Sequence, residues 1–221
     1  MKRLALCVLA TTSLCGPVYA HGAKRGTAEG SIRGKKVTVE YGRPELKGRS
    51  LDALLSQLPD DRVWRAGTDE ITTLTTEGGL VLECLSGVAC SRVRAPGGGR
   101  RVPAGKYSLY VSAPPNGAVA LILNSDPGIE LGALAKILGF TVPENESKRL
   151  WPHLEGYNLN RGNGVAGIAQ TEVARALMMS GTADPPVDPF TISIEPSGST
   201  ALTLMLAWAD KTWSVDLHGS E

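Results

Sequence analysis

Residues able to bind or transform a small molecule are concentrated between residues 40 and 73. They combine cations, a carboxylate, hydroxyls and aromatic rings: Tyr41, Arg43, Lys47, Arg49, Trp64, Arg65, Glu70 and Thr72, with Asp69 and Thr73 beside them. A guanidinium binds a carboxylate or phosphate through two parallel hydrogen bonds, and a Trp face can pack against a sugar or an Arg. This group, the polar constellation, therefore predicts a binding site for a small polar, anionic or carbohydrate ligand.

The same residues have a second interpretation that the sequence leaves open. Arg43 or Arg65 could pair with Asp69 or Glu70 in a structural ion-pair network, with Trp64 in the core. The protein would then have a structural or protein-interaction role in the cell envelope. A binding site predicts that the charged side chains converge in a solvent-open concavity, whereas a network predicts closed pairs.

Catalysis would require a positioned acid or base, and Glu70 is the only natural candidate in the polar constellation. A hydrolase-like enzyme using Glu70 is therefore the alternative to a binding module. The chain has no Gly-x-Ser-x-Gly nucleophile elbow and only three histidines. No obvious helix follows the glycine run at 97–99, so this run is a weak signal for phosphate binding. We assign no catalytic residue and expect neither a cofactor nor a metal site.

The elements that must position these residues have the patterns of β-strands. Apolar and polar residues alternate at 37–41, 106–112 and 190–195, which is the period of a half-buried strand. Residues 118–123 form a continuous apolar run, typical of a strand buried on both faces. About nine strands with turns between them predict an all-β fold, an antiparallel sandwich or a jelly-roll-like domain.

The C-terminal pattern predicts a hairpin that reverses at residues 209–211. The apolar residues before the reversal end at Trp208, and those after it begin at Trp213, so both indoles are predicted to lie in the core. Helices are few: one short helix is predicted at 51–58 and a second at 131–138.

The expected domain organisation is simple. The Gly- and charge-rich residues 21–35 are predicted to form a flexible N-terminal arm. A single β-sandwich domain is expected over residues 36–221. Within it, residues 141–164 contain two prolines with several Asn and Gly residues, and are predicted to leave the sandwich as a long irregular excursion.

The N-terminus has the features of a secretory signal peptide. Basic residues and a mostly apolar run precede a small-x-small cleavage site, which predicts a signal peptide at 1–20 and cleavage near Ala20-His21. We therefore expect an exported protein, periplasmic or extracellular after cleavage. In that setting the two cysteines outside the signal peptide, Cys84 and Cys90, are predicted to form a disulfide across a hairpin turn.

The charge balance limits the expected partners. The chain has 23 Lys and Arg residues against 22 Asp and Glu residues, a formal net charge of +1. This balance argues against a nucleic-acid partner, which usually requires a basic face. No apolar run is long enough to span a bilayer. We expect a small-molecule ligand rather than nucleic acid or a membrane span, and the oligomeric state stays open.

Several short blocks together resemble a known family. They occur in this order: YGRP at 41–44, KGR at 47–49, VWRAG at 63–67, PAGKYSL at 103–109 and FTIS at 190–193. In combination they resemble the bacterial exported family called domain of unknown function 2911 (DUF2911). The resemblance implies an all-β exported domain with no established activity. The chain differs from the family pattern in a longer segment before the PAGKYSL block and in Asp69, where the pattern has Asn.

Overall fold

Two antiparallel β-sheets pack against each other in the computed structural model, with two short helices beside them. The structure describes residues 24–58, 63–68, 70–82, 100–115, 118–139, 141–142, 148–150, 153–154, 157–158 and 171–220. The elements in chain order are β1 Arg25–Ile32, β2 Lys35–Gly42, α1 Leu51–Ser56, β3 Val63–Arg65, β4 Thr73–Thr76, β5 Leu80–Leu82, β6 Arg100–Val102, β7 Gly105–Ser112, β8 Ala120–Asn124, β9 Ile129–Glu130, α2 Leu131–Leu138, β10 Arg149–Leu150, β11 His153–Leu154, β12 Tyr157–Asn158, β13 Glu172–Leu177, β14 Met179–Pro196 and β15 Ala201–Gly219. The predicted all-β, sandwich-like fold is confirmed.

The larger sheet contains seven strands in the order β1-β2-β4-β7-β8-β13, with β3 added against β7. Strand β7 lies at its centre. The first half of β7 pairs with β4 and the second half with β3, while β8 runs along its other side. The smaller sheet has the order β14-β15-β5-β6. Because successive side chains of a strand point to opposite faces, each strand of the larger sheet has an inner face toward the smaller sheet and an outer face away from it.

The main core fills the space between the two sheets. Val39 of β2, Leu109 of β7 and Leu121 of β8 have no exposed surface there. Strand β8 is buried at every one of its five positions, on the outer face as well as the inner face. This confirms the two-sided burial predicted from its apolar run, and it requires that something covers the outer face of the larger sheet.

The segment that follows β8 provides part of that cover. The Ser108 hydroxyl on the outer face donates to the Asp126 carbonyl, and the Ile71 N–H donates to the Arg149 carbonyl at 2.9 Å. A second apolar cluster, separate from the main core, consists of Ile71, Tyr110 and Ile122, with the partly buried Val63 against it. The larger sheet therefore has apolar packing on both faces near the centre of β7.

The Gly-rich residues 25–32 correct one prediction, because they form strand β1 rather than a flexible arm. All eight residues of β1 pair with β2. Gly26 lies opposite Tyr41, and a Cβ at Gly26 would be 2.7 Å from the tyrosine ring. A Cβ at Gly30 would collide in the same way with side chains of the smaller sheet. These glycines allow β1 to pack closely over the core, so they do not indicate mobility.

Strand β15 folds back on itself, in agreement with the predicted C-terminal hairpin. A straight strand of its length would hold its ends about 60 Å apart. Instead, the Gly219 N–H donates to the Thr200 carbonyl at 3.0 Å, and the Thr203 hydroxyl donates to Asp216 at 2.6 Å. Ala209 takes a positive φ of 53° at the predicted reversal. Strand β14 pairs with residues of both arms, so it passes around the tip of this hairpin.

The first predicted helix is present as α1. Its N-cap residue Ser50 accepts a hydrogen bond from the Ala53 N–H at 3.1 Å. The second is α2. The predicted signal peptide at 1–20 and the predicted Cys84–Cys90 disulfide lie outside the described residues, as does most of the 141–164 excursion. Among the helices that the structure describes, none combines the length and apolarity needed to cross a membrane.

Candidate functional site

Strand β3 divides the polar constellation between the two faces of the larger sheet. Trp64 pairs across the ladder with Val111, and its ring points into the core between the sheets. The next residue, Arg65, pairs with Tyr110 and lies on the outer face. Because successive side chains of a strand point to opposite faces, Trp64 and Arg65 are neighbours in the sequence but cannot line one concave site.

The inner half of the constellation has structural roles. The Tyr41 hydroxyl donates to the Ile192 carbonyl at 3.1 Å, which ties the larger sheet to the smaller one. Trp64 stacks on Trp208 with ring centroids 5.5 Å apart and meets Phe190 edge-on at 5.1 Å. Both Tyr41 and Trp64 are buried. These side chains therefore belong to the core rather than to a surface that a ligand can reach.

Thr72 fixes the turn that follows β3. It is fully buried, and its hydroxyl donates to the Ala66 carbonyl at 2.6 Å. A Cβ at Gly67 would lie 2.6 Å from that hydroxyl oxygen, so the turn needs glycine there. The Thr72–Ala66 hydrogen bond and Gly67 therefore fix the path of the chain directly after Arg65.

Arg43, Lys47 and Arg49 lie on the loop between β2 and α1. The Arg43 guanidinium donates to the Phe190 carbonyl at 3.4 Å and to the Thr191 hydroxyl at 3.1 Å. Arg49 donates to backbone carbonyls of its own loop, at 3.0 Å for the nearer one. Lys47 is exposed at a positive φ of 51°. Thus Arg43 and Arg49 both donate hydrogen bonds to backbone carbonyls. Neither lies on the outer face of the larger sheet, which carries Arg65.

Glu70 is paired rather than free. Its carboxylate lies 3.6 Å from the Arg25 Nε, and both side chains are about one-third exposed (34% for Arg25 and 29% for Glu70). The Arg25 guanidinium also donates weakly to the Ile71 carbonyl at 3.5 Å. Asp69, the other carboxylate of the constellation, lies outside the described residues. The three residues whose convergence would make a site, Arg43, Arg65 and Glu70, do not share one described cluster of contacts.

The outer face places a row of four residues side by side across the larger sheet. Arg65 of β3 is opposite Tyr110 of β7, Tyr110 is opposite Ile122 of β8, and Ile122 is opposite Arg175 of β13. The row therefore has a guanidinium at each end and an apolar centre, with Ile71 packed against that centre. We call these four residues the outer row.

The two guanidinium groups of the outer row differ in their partners. Arg175 makes a two-pronged pair with Glu172, with nitrogen–oxygen distances of 3.2 Å and 2.9 Å. In contrast, the Arg65 Nη1 is buried and has no hydrogen-bond partner among the described residues. No other arginine in the described part of the chain has a buried guanidinium nitrogen in that condition. Buried donors are normally paired, so the Arg65 Nη1 requires an explanation, as does the buried Trp208 Nε1, which also has no hydrogen-bond partner among the described residues.

Tyr110 keeps its hydroxyl neutral beside Arg65. Burial raises the pKa of Tyr110 strongly, the nearby Asp126 carboxylate raises it further, and Arg65 opposes these effects. Asp126 is held at the end of β8, where its N–H donates to the Asn124 side chain and its carboxylate accepts from the Gly128 N–H, both at 2.8 Å. Tyr110 is thus a neutral phenol that feels both the Arg65 guanidinium and the Asp126 carboxylate.

The site residues that sequence reasoning missed are Tyr110, Ile122, Asp126 and Arg175. A signal for the first two was present: the alternation in 106–112 points Tyr110 outward, and the two-sided burial of β8 means that this outward face is covered. Nothing in the sequence places Arg175 in the same row, because that depends on the pairing of β8 with β13. Among the described residues no group of three or more His, Cys, Asp or Glu side chains could hold a metal ion.

Comparison with known proteins finds a family model that matches part of the chain. Residues 23–85 match the family model described as Protein of unknown function (DUF2911), so the predicted resemblance is confirmed over that stretch. The stretch contains β1 to β5 and the polar constellation. The PAGKYSL and FTIS blocks lie beyond it and stay part of the prediction. No curated protein and no solved structure matches the chain, and the family match indicates no activity.

Proposed function

We propose that this protein is an exported, non-enzymatic binding module for a small anionic ligand, and that Arg65 is the residue that contacts the anion. The observation that carries the proposal is the buried Nη1 of Arg65, which has no hydrogen-bond partner among the described residues. Export is proposed on the signal-peptide features of residues 1–20, and it would place the module in the periplasm or outside the cell.

The energetic argument starts from the cost of that unpaired donor. A buried polar group left without a partner costs about 1–3 kcal/mol, and more when it is charged. A ligand that supplies the missing hydrogen-bond partner would offset this unfavourable free energy. A carboxylate or phosphate oxygen is the acceptor that a guanidinium nitrogen binds most strongly. The remainder of Arg65 is partly exposed, so the residue is not sealed inside the core.

The positions of the other predicted site residues narrow the proposal. Trp64 lies under an aromatic cluster, and its face is not available to a sugar ring. Arg43 and Arg49 already donate to backbone carbonyls, and Glu70 lies beside Arg25. These contacts favour an anionic ligand over a carbohydrate and give no support to a general acid or base at Glu70. The binding proposal therefore rests on Arg65 alone among the predicted residues.

A thermal-shift screen against small anions tests the proposal. The mature protein and two variants, Arg65→Met and Arg175→Met, would be melted with acetate, succinate, phosphate and sulfate at constant ionic strength. A ligand that binds the folded state raises the melting temperature. We expect at least one anion to stabilise the wild type and the Arg175→Met control but not Arg65→Met. Equal shifts in all three proteins, or no shift with any anion, would contradict the proposal.

A further inference from the structure

We infer that a second copy of this chain pairs with strand β14 along Met179–Ala183, so that the protein forms a weak symmetric dimer. We call this stretch the free edge. The inference goes beyond the proposed function and does not depend on Arg65. It is carried by the hydrogen bonding and exposure of the free edge, and by the difference between this edge and the other described strand edges.

The free edge is paired on one side. Met179 to Thr182 pair with Ser214 to Lys211 of β15, and β14 has no other strand neighbour in the smaller sheet as described. Beyond that ladder, no hydrogen bond from a described residue reaches the backbone of the free edge. In an antiparallel ladder every second residue directs its N–H and C=O away from the partner strand. These outward groups are therefore available to an added strand.

The rest of β14 is closed to such pairing. The Phe190 N–H donates to the Pro44 carbonyl at 2.9 Å, and the Ile192 carbonyl accepts from the Tyr41 hydroxyl at 3.1 Å. The stretch between Phe190 and the free edge contains three prolines, which have no N–H to donate: Pro185, Pro186 and Pro189. Proline is one of the devices that protect a strand edge from further pairing. Only the free edge of β14 is therefore open.

The free edge also lacks charged side chains, unlike the other described edges. Strands β1 and β13 border the larger sheet, and β6 borders the smaller sheet on the side away from β14. Each of these three strands carries two charged residues: Arg25 and Glu29, Glu172 and Arg175, and Arg100 and Arg101. The free edge, with the sequence MSGTA, carries none. Charges on an edge strand oppose pairing with another sheet, and the free edge has no such barrier.

The same stretch exposes an apolar side chain. Met179 is 71% exposed, and it is the only exposed large apolar side chain among the described residues. Ser180 lies opposite the buried Trp213. Because successive side chains alternate, Met179 and Gly181 point to the other, solvent-facing side of the smaller sheet. A strand added along the free edge would cover part of the Met179 side chain, and burial of that apolar surface favours pairing.

A second copy of the chain is the occupant that fits this edge. An uncharged edge has no attraction for a charged peptide, and it does not repel a copy of itself. A two-fold axis through Gly181 would pair two copies antiparallel, with Met179 opposite the partner's Ala183 and Ser180 opposite the partner's Thr182. Both pairs join side chains on the same face, as an antiparallel ladder requires. The pairing would place a small apolar side chain beside each Met179 and a hydroxyl beside each Ser180.

Sedimentation equilibrium of the full mature protein tests the inference. Five paired residues on each side bury much less than the roughly 1,200–2,000 Å² of a stable interface, so we expect a Kd of roughly 0.1 mM. Samples from about 10 µM to about 1 mM should therefore pass from mainly monomer to mainly dimer. Met179→Lys should raise the Kd at least about tenfold, because it replaces the apolar contact with a charge at both ends of the pairing.

Further variants provide the control and test the register. Ser199→Lys adds the same charge at an exposed position in the turn between β14 and β15, and it should leave the Kd within about twofold of wild type. Ala183→Glu alone should weaken the dimer as Met179→Lys does. The double variant Met179→Lys/Ala183→Glu should dimerise more tightly than either single variant, because each new lysine lies opposite a glutamate of the other copy.

Three results would overturn the inference. A protein that stays monomeric over the whole concentration range would do so, even if it bound other extended peptides. A dimer that Met179→Lys leaves intact, or that Ser199→Lys weakens equally, would form through another surface. A double variant that does not recover dimerisation would overturn the pairing about Gly181. Arg65→Met should leave the Kd of the dimer unchanged, so the failure of this inference and the failure of the proposed function are distinguishable.

Discussion

Both faces of the larger sheet carry polar side chains next to apolar packing, but these side chains differ in their hydrogen bonding. On the inner face the Tyr41 hydroxyl donates to a carbonyl of the opposite sheet, and Trp64 is stacked in an aromatic cluster. On the outer face Arg65 buries a guanidinium nitrogen without a partner among the described residues. The two faces are one residue apart in sequence, since Trp64 and Arg65 are neighbours on β3.

The difference between the two faces indicates which residues of the polar constellation serve folding and which one is a candidate for ligand binding. Between the sheets the Tyr41 hydroxyl is satisfied by a backbone carbonyl of the smaller sheet and so stabilises the sandwich, whereas the buried Trp208 Nε1 has no hydrogen-bond partner among the described residues. The outer face has a paired arginine at one end of its row, and at the other end an arginine whose Nη1 has no partner among the described residues. A residue whose bonding is incomplete in the folded chain is a better candidate for binding than one whose partners are already present.

The largest expected effect is on the inner face. Trp64→Ala removes the ring that stacks on Trp208 and contacts Phe190, so it should lower the free energy of unfolding by about 3–5 kcal/mol. Equilibrium denaturation with urea would measure the loss. The neighbouring Arg65→Met is the matched control. It should change stability by less than about 1 kcal/mol or raise it, because it removes a buried donor that has no partner in the described part of the chain. Similar losses in both variants would remove the distinction between the two faces.

A smaller effect tests how tightly the inner face is packed. Gly26→Ala places a Cβ 2.7 Å from the Tyr41 ring, and the resulting overpacking should cost about 1–3 kcal/mol. Gly132→Ala provides the control, because among the described residues no atom outside its own stretch of helix lies within 4 Å of the new Cβ, and alanine favours the helix. It should leave the melting temperature unchanged or raise it. A tolerated Gly26→Ala would show that β1 does not pack against Tyr41 as closely as the structure has it.

The smallest expected effect is a change of stability with pH, and it comes from Tyr110 on the outer face. Burial raises the pKa of Tyr110 above its ordinary value of 10.0, so the folded protein retains this proton after the unfolded chain has lost it. The stabilising contribution is complete below about pH 10 and is lost as the pH rises above it, with a slope of up to about 1.4 kcal/mol per pH unit. Urea denaturation from about pH 9 to about pH 11 would measure the slope.

Tyr107, on the inner face of the same strand, provides the comparison for this pH effect. Burial also raises the pKa of Tyr107, but the more deeply buried Tyr110 has the larger rise in pKa. We therefore expect Tyr110→Phe to flatten the alkaline loss of stability more than Tyr107→Phe does. An unchanged slope in Tyr110→Phe would mean that the hydroxyl is better solvated than its surroundings indicate.

The sequence predicted the strands through their alternation. The period-two patterns at 37–41 and 106–112 are strands β2 and β7, and the apolar run at 118–123 contains β8. It failed at β1, where Gly26 and Gly30 suggested mobility. Glycine in a loose arm and glycine under a packed ring have the same sequence signal, and only the neighbouring Tyr41 and the smaller sheet decide between them.

The candidate site was predictable only in part, for a related reason. The sequence singled out Arg65 because of its residue type and its place in a polar block. It could not separate Arg65 from Arg43, since both are arginines flanked by apolar strands. The acceptors of Arg43, the Phe190 carbonyl and the Thr191 hydroxyl, come from a strand about 150 residues away, so its bonding depends on how the two sheets pack.

The sequence by itself determined strands such as β2, β7 and β8, and the alternation that sends Trp64 and Arg65 to opposite faces, because a side-chain period of two is a local property of extended backbone. It also carried the blocks that match DUF2911 over residues 23–85. Only the tertiary structure decided which polar groups find partners. Pairing of a buried donor depends on atoms that are distant in sequence, and in this chain it satisfied Tyr41, Arg43 and Arg175 but left the Arg65 Nη1 without a partner among the described residues.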